Sequence, residues 1–208
     1  MHEYDTTLKL LLQGPAPRSL REVTGVEVTA WHNVELPELG DRQVDLLGET
    51  AGGELIHIEL QSTNDAAMPL RMAEYCLRIY RQFARPPRQV VLFVGKERMR
   101  MASELAGPQF SFRYNLVDLR GIDGEALLES DRVGDNVIAI LTRFGRRAKA
   151  VREIVRRISG LEEDRREFYL QALLELAGLR GIEGFVEEEV RKMPVLSSIL
   201  DNKVLGRE

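Results

Sequence analysis

One stretch limits the fold of this chain more than any other: residues 42–61 spell a β-hairpin. Arg42-Gln43-Val44-Asp45-Leu46-Leu47-Gly48-Glu49 supplies one strand, and Glu54-Leu55-Ile56-His57-Ile58-Glu59-Leu60-Gln61 supplies the next. Ala51-Gly52-Gly53 between them is a three-residue loop, with glycine where a left-handed backbone is needed. If Thr50 faces Glu54, paired residue numbers sum to 104, so Asp45 lies opposite Glu59 and Gln43 opposite Gln61. Directly opposed side chains have Cβ atoms about 4.5–5.5 Å apart, and like charges at that distance repel. Both acids also sit inside apolar runs, where an unpaired charge is costly. A divalent cation between them relieves both problems, because hard cations prefer carboxylate oxygens.

The competing reading is a solvated face, since antiparallel hairpins commonly keep one side wet. The apolar residues Val44, Leu46, Ile56, Ile58 and Leu60 account for one face. The other carries Gln43, Asp45, His57, Glu59 and Gln61, without the Lys or Thr that a plain wet face more often includes.

The rest of the chain supplies a frame for this hairpin. Tyr4–Gln13 is expected to be a helix, stopped by Gly14-Pro15-Ala16-Pro17, with a helical turn over Arg18–Thr24. Val26–Trp31 alternates as a strand. After the hairpin, Met72, Ala73, Cys76, Ile79, Tyr80 and Phe83 follow helical spacing within Met68–Ala84, and Pro86-Pro87 ends that helix. Gln89–Val94 is a short, valine-rich strand. A helix-like stretch and a strand over Phe110–Leu119 follow. The connection from Gln61 to Gln89 is long enough for a parallel crossover, so the expected sheet is mixed. From Ile122 the pattern is helical throughout, in four apolar stripes. The expected fold is therefore α/β, a mixed sheet flanked by helices with a helical C-terminal extension, divided into residues 1–121 and 122–208.

The chain has 208 residues and a net charge of −4, so a nucleic-acid partner must be argued from local charge. Two basic groups offer it: Arg71, Arg78, Arg81 and Arg85 on the helix after the hairpin, and Arg143, Arg146, Arg147, Lys149, Arg152, Arg156 and Arg157 further on. The bland alternative for the second group is a solvated face answered by Glu162, Glu163 and Asp164. One cysteine, Cys76, excludes an internal disulfide and suits a reducing cytoplasm, which sets the expected location. Cys76 itself is expected in the core. The longest notable apolar run, Val90–Val94, is far too short to span a membrane, so no membrane partner is expected. His2 and His32 have no companions at zinc-ligand spacing. Phosphate-loop and nucleophile-elbow motifs are absent.

The motifs Arg42-Gln43-Val44-Asp45, Ile58-Glu59-Leu60-Gln61-Ser62 and Met68-Pro69-Leu70-Arg71-Met72-Ala73-Glu74-Tyr75 together resemble the recombination-promoting nuclease and transposase family of the PD-(D/E)XK nuclease superfamily. Asp5-Thr6-Thr7-Leu8-Lys9 resembles that family's opening helix, and the likeness covers roughly the first 120 residues. The resemblance implies a restriction-endonuclease-like fold and Mg²⁺- or Mn²⁺-dependent hydrolysis of DNA phosphodiester bonds, linked to recombination or mobile elements. It implies that Asp45, Glu59 and the Leu60 carbonyl hold the metal, and that Gln61 orients the attacking water. Many members carry lysine where this chain has Gln61, which is neutral. Positive charge is then expected from Arg71, with Lys9 as the other candidate. Arg71, Tyr75 and Arg78 are expected to meet DNA. Asp5 and Glu22 are alternatives for an additional acid from the first helices, and His57 is expected to be structural. Two other functions compete: a catalytically silent module of the same fold that binds DNA or protein, and a homodimer formed through the C-terminal helices.

Overall fold

The computed structural model describes residues 3–14, 18–32 and 45–205, with side chains described for residues 4–14, 18–32 and 45–199. Arg42, Gln43 and Val44, with the expected Gln43–Gln61 pairing, lie outside the described residues, as does His2. Contacts divide the chain into a sheet unit, residues 20–119, and a helical unit formed by residues 1–19 and 120–208.

In the sheet unit, β1 (Val28–His32), β2 (Leu46–Thr50), β3 (Leu55–Gln61) and β4 (Arg88–Phe93) lie side by side, followed by β7 (Asn115–Asp118). The first three strands are antiparallel, while β3, β4 and β7 run parallel. The sheet is thus mixed, and α3 (Met68–Phe83) makes the crossover between β3 and β4. The hairpin register is the one the loop dictates: Leu46 pairs with Ile58, Leu47 with His57 and Glu49 with Leu55. The Thr50 N–H donates to Glu54 O at 2.9 Å, and Gly53, at φ +79°, turns the chain between them. This is a backbone angle that favours glycine.

The hairpin face expected to be polar is covered. Leu47, Leu55 and Val91 pack beneath Met68, Met72, Tyr75 and Ile79 of α3, with Tyr114 completing the cluster. The buried side of α3 is therefore rotated from the expected stripe. Tyr75 faces inward, Tyr80 is exposed and Cys76 is only half-buried. Both tyrosines lie next to the apolar stripe in sequence, and apolar spacing alone does not decide which ring turns in.

The expected Phe110–Leu119 strand divides in two. β5 (Glu104–Gly107), formed where a helix-like stretch was expected, pairs with β6 (Phe110–Arg113), while β7 joins the main sheet. Tyr114 makes the break: its N–H donates to Ser103 O at 3.1 Å, and its hydroxyl bonds Ala102 O. Burial pushes that hydroxyl's pKa up to about 12.

The helical unit holds α1 (Glu3–Leu12), α4 (Glu125–Leu128), α5 (Val133–Ala139), α6 (Arg147–Ser159), α7 (Glu163–Arg180), α8 (Glu183–Arg191) and α9 (Pro194–Leu205). The short helix α2 (Arg18–Thr24) and the turn over Leu119–Gly121 lead between the units. The first helix therefore groups with the C-terminal helices and not with the sheet, as the 1–121 division had it. Its Leu8, Leu11 and Leu12 are buried, it packs on α5 and α7, and Thr7 bonds Glu175. α6 buries one apolar stripe, Val151, Ile154, Val155 and Ile158. α7 runs past Gly178 and stops at Gly181, whose φ of +64° makes a left-handed cap. Among the described residues no helix is long and apolar enough to cross a membrane.

Candidate active site

The C-terminal end of β3 and the start of β2 form the site. Asp45 and Glu59 meet here, but not as two carboxylates pressed together. The Asp45 N–H donates to Glu59 Oε1 at 3.0 Å, and the Leu60 N–H donates to Asp45 Oδ2 at 2.8 Å. Each carboxylate accepts a backbone N–H of the opposite strand, and this exchange replaces the repulsion that the register alone suggests.

Glu59 is only 4 % exposed and His57 is fully buried. A buried charge is tolerable only when it is paired and hydrogen-bonded, and Glu59 is both. His57 Nε2 lies 3.0 Å from Glu59 Oε1, and Arg71 Nη2 lies 3.5 Å from Glu59 Oε2. The histidine tautomer follows from its other neighbour. Gln89 Nε2 is 2.9 Å from His57 Nδ1 and 2.9 Å from the Met72 carbonyl. The carbonyl can only accept, so the Gln89 atom there is the amide nitrogen, and it donates to both groups. His57 Nδ1 is then an acceptor, and Nε2 carries the proton that Glu59 receives. The Tyr75 ring stands edge-on to His57 with centroids 5.2 Å apart.

The loop from β3 into α3 is fixed by its own polar residues. Asp65 Oδ1 accepts the Ala67 N–H at 2.8 Å and Asp65 O accepts the Met68 N–H at 3.2 Å, which starts α3 at Met68. Asn64 reaches the loop after β4 through the Arg98 carbonyl and the Arg100 N–H. Gly95 permits that approach: a Cβ there would lie 1.9 Å from Ser62 O. One turn into α3, Arg71 donates to Gln61 Oε1 at 3.0 Å and to Asp65 Oδ2 at 3.1 Å. Its Nε–H, though buried, has no hydrogen-bond partner among the described residues.

The structure thus brings Asp45, Glu59, Leu60, Gln61 and Arg71 together. Tyr75 lies in the core at 4 % exposure and braces His57, so its ring offers no surface to a phosphate. Arg78 is half-buried further along α3, Glu22 is exposed on α2, and Asp5 and Lys9 belong to α1 in the helical unit. Sequence reasoning missed Gln89 and Asp65. Gln89 had a signal, as the one amide inside an apolar strand.

The donor set is all oxygen: two carboxylates, plus the Leu60 carbonyl, which points to the same strand edge as the Leu60 N–H that Asp45 accepts. Among the described residues no group of three His, Cys, Asp or Glu could hold a metal ion. Two carboxylates completed by water and substrate phosphate oxygens suit Mg²⁺ and do not suit zinc. No protein-family model, curated protein or solved structure matches this chain.

Proposed function

We propose that the chain is a metal-dependent nuclease with a restriction-endonuclease-like core. Mg²⁺ or Mn²⁺ is held by Asp45, Glu59 and the Leu60 carbonyl, and DNA is the substrate. One observation carries the reading: two carboxylates, each accepting a backbone N–H of the opposite strand, stand beside an arginine whose side chain keeps 18 % of its surface exposed. The order helix, three antiparallel strands, helix, parallel strand supports the fold assignment, as does a site at the C-terminal ends of parallel strands.

A bound divalent cation would lower the pKa of a coordinated water and offset charge developing on the phosphate. The chain's own residues do the rest. His57 and the Asp45 N–H hold Glu59 Oε1, which leaves Oε2 as the oxygen turned toward Arg71. Arg71 takes the Gln61 carbonyl oxygen, so Gln61 presents its amide N–H groups and orients water as a donor, not as a base. Arg71 supplies the positive charge that Gln61 does not.

A second reading, a catalytically silent DNA- or protein-binding module, is favoured by the completeness of the bonding. Glu59 Oε1 already accepts two donors and Gln61 Oε1 is engaged. Supercoiled-plasmid cleavage with Mg²⁺ separates the two. The nuclease reading expects nicking by the native protein that is lost with chelator and with Asp45→Ala. Clean, folded native protein that leaves the plasmid intact would sink it in favour of the silent module.

A further inference from the structure

A groove of about 920 Å³ opens in the helical unit between α6, α4 and the end of α8. Its apolar lining is Leu128, Ala150, Val155 and Met193. Six cations line it, Arg146, Lys149, Arg152, Arg156, Arg157 and Lys192, against four carboxylates, Glu125, Glu129, Glu153 and Glu189. Two of those carboxylates are each answered twice. Glu153 accepts from Arg156 at 2.6 Å and Arg157 at 2.8 Å, and Glu189 accepts from Lys192 at 2.7 Å with Arg152 at 3.5 Å. Each trio keeps one positive charge. Arg146 and Lys149 make no side-chain hydrogen bond or ion pair among the described residues. A surplus of two positive charges therefore gathers on a chain whose net charge is −4.

The cations are arranged in a line and do not converge on a point. Arg146, Lys149, Arg152 and Arg156 are spaced three, three and four residues apart on α6 and its cap, so they share one face. From first to last the helix rises about 15 Å, a length over which a strand stacked as in a duplex places about four phosphates at about 3.4 Å each. Arg152 and Arg156 are each 63 % exposed, so their guanidinium groups reach solvent while their stems cover the groove wall. A compact phosphate would need donors that converge, whereas a row of point charges suits a linear polyanion.

We propose that this groove binds the phosphodiester backbone of a single-stranded nucleic acid, independently of base sequence. The inference rests on the groove and not on the hydrolytic reading of Asp45 and Glu59.

The test is fluorescence anisotropy of a labelled single-stranded oligonucleotide with the full chain, in chelator so that nothing is cut. The expected result is binding whose logarithm falls linearly with log salt, with Arg146→Glu/Lys149→Glu weakening it at least tenfold. That variant should also flatten the salt slope, by about 0.7 for each phosphate that is no longer neutralised. The control Arg100→Glu/Arg113→Glu reverses two exposed charges on the sheet unit and should bind within twofold of the native chain. Circular dichroism of each variant establishes that it is folded. Absence of binding overturns the proposal, and so does an equal loss in the control. Displacement by adenosine triphosphate at equal phosphate, or by poly-glutamate at equal charge, also overturns it, by assigning a free nucleotide or an acidic protein segment. Binding is read in chelator and cleavage with Mg²⁺. Failure of binding and failure of cleavage are therefore read separately.

Discussion

The sheet unit and the helical unit treat charge in opposite ways. At the candidate active site, Glu59 is buried, and every partner it has is fixed by something else: His57 by Gln89, Gln89 by the Met72 carbonyl, and Arg71 by Gln61 and Asp65. On α6 and its cap the charges stand in solvent, Arg146 and Lys149 without a partner among the described residues, and the pairs that the others make are screened by salt. The first arrangement sets the position of one carboxylate at the expense of desolvation. The second keeps a surface potential with almost no penalty to the fold. Rigid placement suits chemistry on a bond, and mobile exposed charge suits holding a polymer.

The widest separation should come from Asp45→Ala. It removes a proposed metal ligand and the acceptor of one half-buried N–H. Cleavage should fall about a thousandfold, the worth of several kcal/mol of transition-state stabilisation. Stability should fall by only about 1 kcal/mol. Plasmid nicking and urea unfolding on the same preparation check this. A stability loss as large as that of Glu59→Ala would mean that Asp45 is chiefly structural.

Glu59→Ala should abolish cleavage as well, and cost far more stability. It leaves His57 Nε2–H, the Asp45 N–H and Arg71 without their shared acceptor, and breaking a buried charge pair in this way costs about 3 kcal/mol. Glu59→Gln keeps one acceptor and should cost about half as much. The urea midpoint should move with an unchanged slope. Next in size is Gln89→Leu, which takes the second donor from the Met72 carbonyl and leaves buried His57 Nδ1 without its donor, for about 1–2 kcal/mol. Paired with His57→Phe in a double-mutant cycle, it should show coupling above about 0.5 kcal/mol, because the two share one network. Additive costs would mean that Gln89 does not hold the histidine.

The hairpin was legible in the sequence because two local signals agree. Alternation fixes which residues oppose, and Gly53 fixes where the chain turns. The covering of its polar face was not legible. His57 and Glu59 are buried by α3, and which side of α3 faces inward depends on Tyr75 against Tyr80, a choice made by packing. Acids on strands signal a site equally well whether they point to water or lie under a helix. The meeting of Asp45 and Glu59 followed from register, while Gln89, 32 residues from His57, came into reach only through the β3–β4 parallel pairing. The split of Phe110–Leu119 was hidden for a related reason. Tyr114 ends one pairing by bonding Ala102 and Ser103, contacts that no window of alternation records.

The smallest expected effect lies on α6 and tests whether its ion pairs serve the fold or the groove. Hydrogen bonds from Arg156 and then Arg157 pull the Glu153 carboxyl from its ordinary 4.5 down to about 2. A depressed carboxylate contributes stability that is fully present above its unfolded pKa and is lost as pH falls through the folded one. The window is therefore about pH 4.5 down to about pH 2. The pair is part-exposed, so the slope should be shallow. Glu153→Gln should lower the melting temperature slightly at neutral pH, where the contribution is fully present, and reduce its further fall between pH 5 and pH 3, a range chosen to enter that window. The same substitution releases Arg156, leaves Arg157 on Ser130 O and Asn136 Oδ1, and adds one net positive charge to the groove, so oligonucleotide binding at neutral pH should tighten. A variant that loses far more stability at pH 7 and gains no affinity would make the Glu153 pairs structural braces. The helical unit would then use its charge as the sheet unit does.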